Sequence, residues 1–233
     1  MSYTSTFFKN IVHLLYPEIC AGCGSDLLQE NNLICANCMN ELPLTGFYMH
    51  KNNPVEKIFR GRLPLITASA HAYFTKDSIV QNLLHSLKYG GNSEAGILMG
   101  KMIGRELKSC EWNKDLFALV PLPLHFTKQK KRGYNQAEMI CEGISSAMNV
   151  PVLKDVIARR KNTETQTHKT RSERWNNIES KFELNKAADI MNKHVLLVDD
   201  VITTGATLEA CGAELLKSEG LRLSIATFAY TSL

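Results

Sequence analysis

Thirteen consecutive residues constrain this chain more than any other stretch: Val195-Leu-Leu-Val-Asp-Asp-Val-Ile-Thr-Thr-Gly-Ala-Thr207. The apolar run at its start reads as a buried strand. That strand delivers two adjacent carboxylates, Asp199 and Asp200, to its carboxyl end. A hydroxyl-rich loop with Gly205 follows, and the pattern predicts a helix immediately after it. Backbone amides of such a loop, with the positive end of the helix, make a phosphate cradle. Thr203, Thr204 and Thr207 add hydroxyl donors, and Gly205 permits close backbone approach. Carboxylates aimed at a phosphate would repel it, so they make sense facing sugar hydroxyls or a divalent cation. A ligand with a vicinal diol at one end and a phosphate at the other is a ribose 5-phosphate. The bland alternative is an ordinary strand–turn–helix with solvated aspartates and a threonine cap. The length of the ordered pattern weighs against it.

The surrounding sequence alternates in the same way. Ala68 to Phe74 reads as a strand, and Ile79, Val80, Leu83, Leu84 and Leu87 predict a helix from near Asp77 to Gly90-Gly91. A second helix is expected over Glu94 to Lys108. Phe117 to Pro121 is a short apolar strand, followed by a polar loop and a helix over 135–148. Val150 to Leu153 and Val156 to Ala158 are weaker strand candidates. His194 to Val198 is a clear buried strand, the helix after it should close at Gly220, and Arg222 to Tyr230 supplies a last strand. This predicts an α/β domain with a mostly parallel sheet over 67–233. Ligands bind such sheets at the carboxyl ends of strands, which directs attention to the loops after Val120 and Val198. Residues 1–66 form the remainder, with breakers at Asn52-Asn53-Pro54 and Gly61-Arg62 marking a connector over 46–66.

With 233 residues and 44% apolar content, the chain buries a core without staples, and disorder is excluded. The start is a poor secretory signal, because Lys9 and His13 interrupt its apolar stretch. Phe7, Phe8, Ile11, Val12, Leu14 and Leu15 make an amphipathic helical face, read as docking on its own domain rather than on a membrane surface. No stretch approaches the roughly 20 apolar residues that span a bilayer, so no stable membrane insertion and a cytoplasmic location are expected.

Cys20-Ala-Gly-Cys23 and Cys35-Ala-Asn-Cys38 form two C-x-x-C pairs. Each wraps a knuckle around one metal, and four sulfurs close the tetrahedron that structural Zn²⁺ prefers. Two disulfides or one redox pair are the alternatives; a cytoplasmic chain disfavours the first and the absence of a thioredoxin-like unit the second. With every ligand supplied by protein, the site should be structural. Cys110, Cys141 and Cys211 read as core or near-surface thiols.

The formal net charge of +4 is unevenly placed. Residues 125–175 hold 11 Lys+Arg against 5 Asp+Glu, and the rest of the chain holds 16 against 18. Within that quarter, His125, Lys128, Lys130, Lys131 and Arg132 precede Gly133-Tyr-Asn-Gln136. A polar, donor-rich run from Thr163 to Asn177 reads as a loop and then a helix starting near Ser172.

The thirteen-residue run resembles the phosphoribosyl-diphosphate signature of type I phosphoribosyltransferases. The cysteine knuckles, Val120-Pro-Leu-Pro, Arg132-Gly-Tyr-Asn-Gln136 and Gln166 to Asn177 resemble the ComF family of that superfamily, over essentially the whole chain. The resemblance implies a type I phosphoribosyltransferase-like sheet with a small N-terminal four-cysteine zinc subdomain. It implies binding of phosphoribosyl diphosphate with Mg²⁺, and transfer of the phosphoribosyl group to an acceptor the sequence does not identify. Asp199 and Asp200 would hold the ribose hydroxyls, and Thr203, Thr204, Gly205, Ala206 and Thr207 the 5′-phosphate. Lys131 and Arg132 would face the diphosphate, and Arg171 would belong to a loop closing over the reacting centre, where Gln166, Arg174 and Asn177 also match. Trp175 is read as a packing residue. Lys88 matches a family position without an evident role. Residues 1–66 are the candidate hood of an acceptor site. ComF relatives are linked to single-stranded DNA uptake in natural transformation, so single-stranded DNA and the competence helicase machinery are implied partners. A non-catalytic accessory role in that process is the alternative reading.

Overall fold

The computed structural model describes residues 19–26, 28, 32–160 and 181–232. The amphipathic face between Phe7 and Leu15, and the run containing Gln166, Arg171, Ser172, Arg174, Trp175 and Asn177, lie outside the described residues.

In chain order the elements are α1 (Ala36–Asn40), α2 (Pro54–Phe59), β1 (Ala68–Tyr73), α3 (Ile79–Tyr89), α4 (Ser93–Leu107), β2 (Leu116–Pro121), α5 (Phe126–Arg132), α6 (Gln136–Met148), β3 (Ile157–Arg159), β4 (Phe182–Leu184), β5 (His194–Ile202), α7 (Ala206–Leu215) and β6 (Arg222–Tyr230). Strands pair in the order β1-β6-β5-β2, and every pairing is parallel. The expected parallel sheet flanked by helices is present. β3 and β4 form a separate antiparallel pair, with Arg159 opposite Phe182.

Alternation along β5 divides the core in two. Leu196 and Val198 enter a core with Leu83 and Leu87 of α3, Ile103 of α4 and Ile144 of α6. Val195 and Leu197 enter a second core with Leu208 and Leu215 of α7 and Phe59 of α2. Burying each such aliphatic side chain is worth about 1.5–3 kcal/mol, so both faces of the strand favour the same register. Cys110, Cys141 and Cys211 are buried. Among the described residues no helix is long and apolar enough to cross a membrane.

The helices begin where their caps dictate. Ser78 Oγ accepts from Gln81 N at 3.1 Å to start α3, and Asn135 Oδ1 accepts from Ala137 N at 3.1 Å to start α6. The structure differs from expectation in several places, one being that α7 ends at Leu215 rather than running on to Gly220. Residues 126–132, expected as loop, form α5: His125 caps its start, three cations sit in its last turn where the helix dipole favours them, and Gly133 ends it at φ 83°. β5 continues past Val198 to Ile202, because Val201 and Ile202 pair with Ala229 and Tyr230. Residues 46–66, expected as a connector, bury Phe47, Val55 and Phe59 against the sheet. Of the two weak strand candidates, Val152 makes only a bridge to Leu119, and the second becomes β3.

α4 and α6 cross at a glycine seam. A Cβ on Gly100 would stand 2.0 Å from Ile140 O, and one on Gly143 would stand 2.1 Å from Ile97 O. The close crossing fixes the helix that begins just after Arg132-Gly-Tyr-Asn. Gly100→Ala gains about 1 kcal/mol of helix propensity. It is nonetheless expected to lower the unfolding free energy by about 1–3 kcal/mol through overpacking, read from the urea midpoint. A midpoint that holds or rises would show that the two helices part without cost.

Candidate functional site

At the carboxyl end of β5 the pleat sends the two aspartates to opposite faces. Asp200 is 7% exposed and its Oδ2 lies 2.8 Å from Lys88 Nζ at the end of α3. Asp199 turns the other way, and its Oδ1 accepts from Asp200 N at 2.8 Å. Burial, then the neighbouring Asp200 charge, push the Asp199 carboxyl well above the usual carboxylate range. Lys88 and Arg159 act in the opposite direction.

The loop after β5 leaves Thr203 and Thr204 exposed, and Ala206 and Thr207 expose the first turn of α7. Gly205 caps that helix at φ 73°, in the left-handed region. A second demand falls on the same glycine, since a Cβ there would stand 2.7 Å from Ile58 Cγ2 and 3.1 Å from the Phe59 ring. Asp199, Thr203, Thr204, Gly205, Ala206 and Thr207 together line a cavity of about 70 Å³. The structure thus groups these six expected residues around one concavity, at the positive end of a helix.

Arg62 holds the loop from behind. It donates to Ile58 O at 3.1 Å and Thr204 O at 3.4 Å, and it pairs with Glu209. Sequence reasoning treated Arg62 only as part of a chain breaker. Nothing local marks a contact made to a residue so far along the chain.

The end of α3 gathers the remaining pieces through three successive residues. Leu87 O accepts from Tyr134 Oη at 2.6 Å, Lys88 pairs with Asp200, and the Tyr89 ring centroid lies 5.6 Å from the Arg132 guanidinium carbon. Arg132 also donates to Gln136 Oε1 at 2.7 Å, and Asn135 Nδ2 donates to Leu122 O at 3.0 Å. Arg132 and Asp200 are thus each tied to the end of α3, while Lys128, Lys130 and Lys131 are exposed on α5 and His125 is half-buried at its cap. Arg159, which sequence reasoning missed, stacks on Phe182 at 5.6 Å and its charge reaches Asp199. Arg171 lies outside the described residues.

At the other end of α3 sit the four cysteines Cys20, Cys23, Cys35 and Cys38. Their sulfurs all lie within 4.8 Å of one another, with no disulfide. Cys20 and Cys38 sulfurs are 3.7 Å apart, and those of Cys23 and Cys35 are 3.9 Å apart. A tetrahedron with metal–sulfur bonds of about 2.3 Å has edges of about 3.8 Å, so the group fits one tetrahedral metal ion. Backbone amides of Gly22 and Cys35 donate to Cys20 Sγ at 3.4 and 3.2 Å, and that of Cys38 donates to Cys35 Sγ at 3.5 Å. Hydrogen bonding with Ser25 draws the Cys23 thiol down to about 6, whereas burial and the neighbouring thiols push Cys38 up. Asn82 Nδ2 of α3 donates to Gly22 O at 2.7 Å, which joins the knuckle to the helix.

The chain is similar to several known proteins. A family model described as the phosphoribosyl transferase domain matches residues 134–232. The chain is 29% identical over 203 residues to Competence protein F of Haemophilus influenzae, covering 87% of this chain and 80% of that protein. It is 29% identical over 218 residues to Competence protein ComFC of Bacillus subtilis, covering 92% and 85%. To DNA utilization protein YhgH of Escherichia coli it is 25% identical over 206 residues, covering 86% and 85%. The chain is similar to ComF-family competence proteins over most of its length.

The matched phosphoribosyl transferase stretch runs from Tyr134 through α6, β3–β6 and α7, and contains the acidic pair and its loop. The cysteines, α3 and α5 lie before it. The purified full-length protein is expected to carry one metal ion per chain by elemental analysis. Cys20→Ser or Cys38→Ser should lose most of that ion and several degrees of melting temperature. Full metal retention by both variants would show that four sulfurs are not the ligand set.

Proposed function

We propose that this protein binds phosphoribosyl diphosphate with Mg²⁺ and transfers the phosphoribosyl group to an acceptor. The observation that carries the reading is the concavity where the Asp199 carboxylate meets the Thr203–Thr207 loop at the start of α7. Amides and hydroxyls of that loop take the 5′-phosphate, aided by the helix dipole. Asp199 and Asp200 take the ribose 2′- and 3′-hydroxyls, and whichever of the two is ionised favours positive charge developing at C1. Lys131 and Arg132 face the diphosphate. The C1–oxygen bond breaks as the acceptor's nucleophile bonds to C1; the diphosphate leaves with the electron pair, and the acceptor's proton passes to water. Bound Mg²⁺ would neutralise diphosphate charge, and the carboxylates and phosphate oxygens are the hard oxygen donors it prefers. The metal held by Cys20, Cys23, Cys35 and Cys38 is read as structural Zn²⁺, since thiolates select zinc and all four positions are filled by protein.

Calorimetry with phosphoribosyl diphosphate is expected to show Mg²⁺-dependent binding on the order of micromolar. Asp199→Asn and Asp200→Asn should each weaken it about 10- to 100-fold, the value of a charge-assisted hydrogen bond. No heat with the wild type would sink the reading.

One observation favours the alternative of a single-stranded DNA-handling accessory. The sequence shows no aromatic residue interleaved with its basic run, but folding brings Tyr89, 66% exposed, against Arg132 beside the exposed lysines of α5. Aromatic faces beside cations are what single strands bind. If this surface is used, oligonucleotide affinity falls steeply with salt and drops again in Tyr89→Ala. Absence of binding at low salt would remove this reading.

A further inference from the structure

Lys88 and Asp200 make the most enclosed ion pair near the proposed ribose site, with side chains 22% and 10% exposed. Burying two charges costs about as much as their attraction returns, so such a pair is weak evidence for stability. Its placement says more. Lys88 lies between two residues bound to the basic segment, because Leu87 O accepts from Tyr134 Oη and the Tyr89 ring faces Arg132. The lysine is thus at the border between the acidic end of β5 and the residues read as facing the diphosphate. It occupies the last turn of α3, and the chain then leaves through Gly90 and Gly91, the latter at φ 63°. A lysine ammonium is a compact charge on a flexible four-carbon stem, suited to exchange one oxygen partner for another. As the structure stands, the pair also occupies Asp200 Oδ2, the oxygen a ribose hydroxyl would need.

We propose that Lys88 is a diphosphate-binding residue that neutralises Asp200 in the free site and turns to the diphosphate when ribose hydroxyls replace it on Asp200. The inference rests on the phosphoribosyl-diphosphate reading above and deepens it. The exchange conserves charge pairing at each stage. Asp200 passes from an ammonium to hydroxyl donors, and the ammonium passes from one anion to another. When the diphosphate departs, Lys88 returns to Asp200 and displaces the ribose hydroxyls, which couples loss of the leaving group to release of the sugar phosphate.

The test measures three ligands by calorimetry: phosphoribosyl diphosphate, inorganic diphosphate and ribose 5-phosphate, each with Mg²⁺. Lys88→Met is expected to weaken the first two at least about tenfold and to leave ribose 5-phosphate unchanged or tighter. Lys88→Arg should restore most of the diphosphate affinity. Equal loss for phosphoribosyl diphosphate and ribose 5-phosphate would show that Lys88 only positions Asp200, and the proposal falls. Unchanged affinity for all three ligands would show that Lys88 takes no part. A wild type that binds none of the three overturns the underlying reading as well. Should Lys88→Met fail to fold, a wild-type structure with phosphoribosyl diphosphate decides the matter: Lys88 Nζ still on Asp200 refutes the exchange.

Discussion

Strand β5 is hydrogen-bonded along both edges and covered on both faces, and the rest of the molecule is arranged by that fact. Its partners β2 and β6 are parallel to it, so all three strands end on the same side. The loops after β2 and β5 therefore come together without further contrivance. Alternation along the strand also places two consecutive aspartates in different surroundings. Asp200 projects into the layer of α3 and meets Lys88, while Asp199 projects toward the α7 side and feels the charges of both Lys88 and Arg159. A slip of one residue would exchange these environments and bury the wrong face everywhere else.

Helix α3 is the second organising element, because it touches the cysteine knuckle at one end and the acidic pair at the other. Asn82 bonds Gly22 O, and a Cβ on Gly22 would stand 3.0 Å from Ile79 Cγ2 and 2.8 Å from Cys38 Sγ. Cys20, Cys35 and Cys38 belong to the same core as Leu83 and Leu87. The thiolate group is therefore built into the domain rather than appended to it.

Elements whose residues declare themselves locally were legible. Val195 to Val198 and Arg222 to Tyr230 are apolar runs long enough for buried strands, and the sheet contains them. The C-x-x-C pairs needed only their spacing. α5 was not legible, because its stability comes from a histidine cap and from cations on the helix dipole, with no apolar stripe to show a period. Residues 46–66 read as breakers because their caps and turns are strong signals, while the burial of Phe47 and Phe59 depends on the sheet they cover. Arg62, Lys88 and Arg159 meet their partners only through the tertiary fold. The basic quarter also divides on folding. Lys154 is paired with Glu138 and Glu142, and Arg159 is stacked, so its charge is not one continuous face.

Both margins of the sheet are occupied by irregular backbone. Along β1, Tyr73 N donates to Pro43 O at 2.8 Å and Thr45 N donates to His71 O at 2.9 Å. Along β2, Leu119 N donates to Pro151 O at 2.9 Å and Leu153 N donates to Leu119 O at 2.8 Å. These segments take up backbone groups that an outer strand would otherwise offer to another polypeptide. Strand addition to the four-stranded sheet is thereby obstructed along both of its flanks.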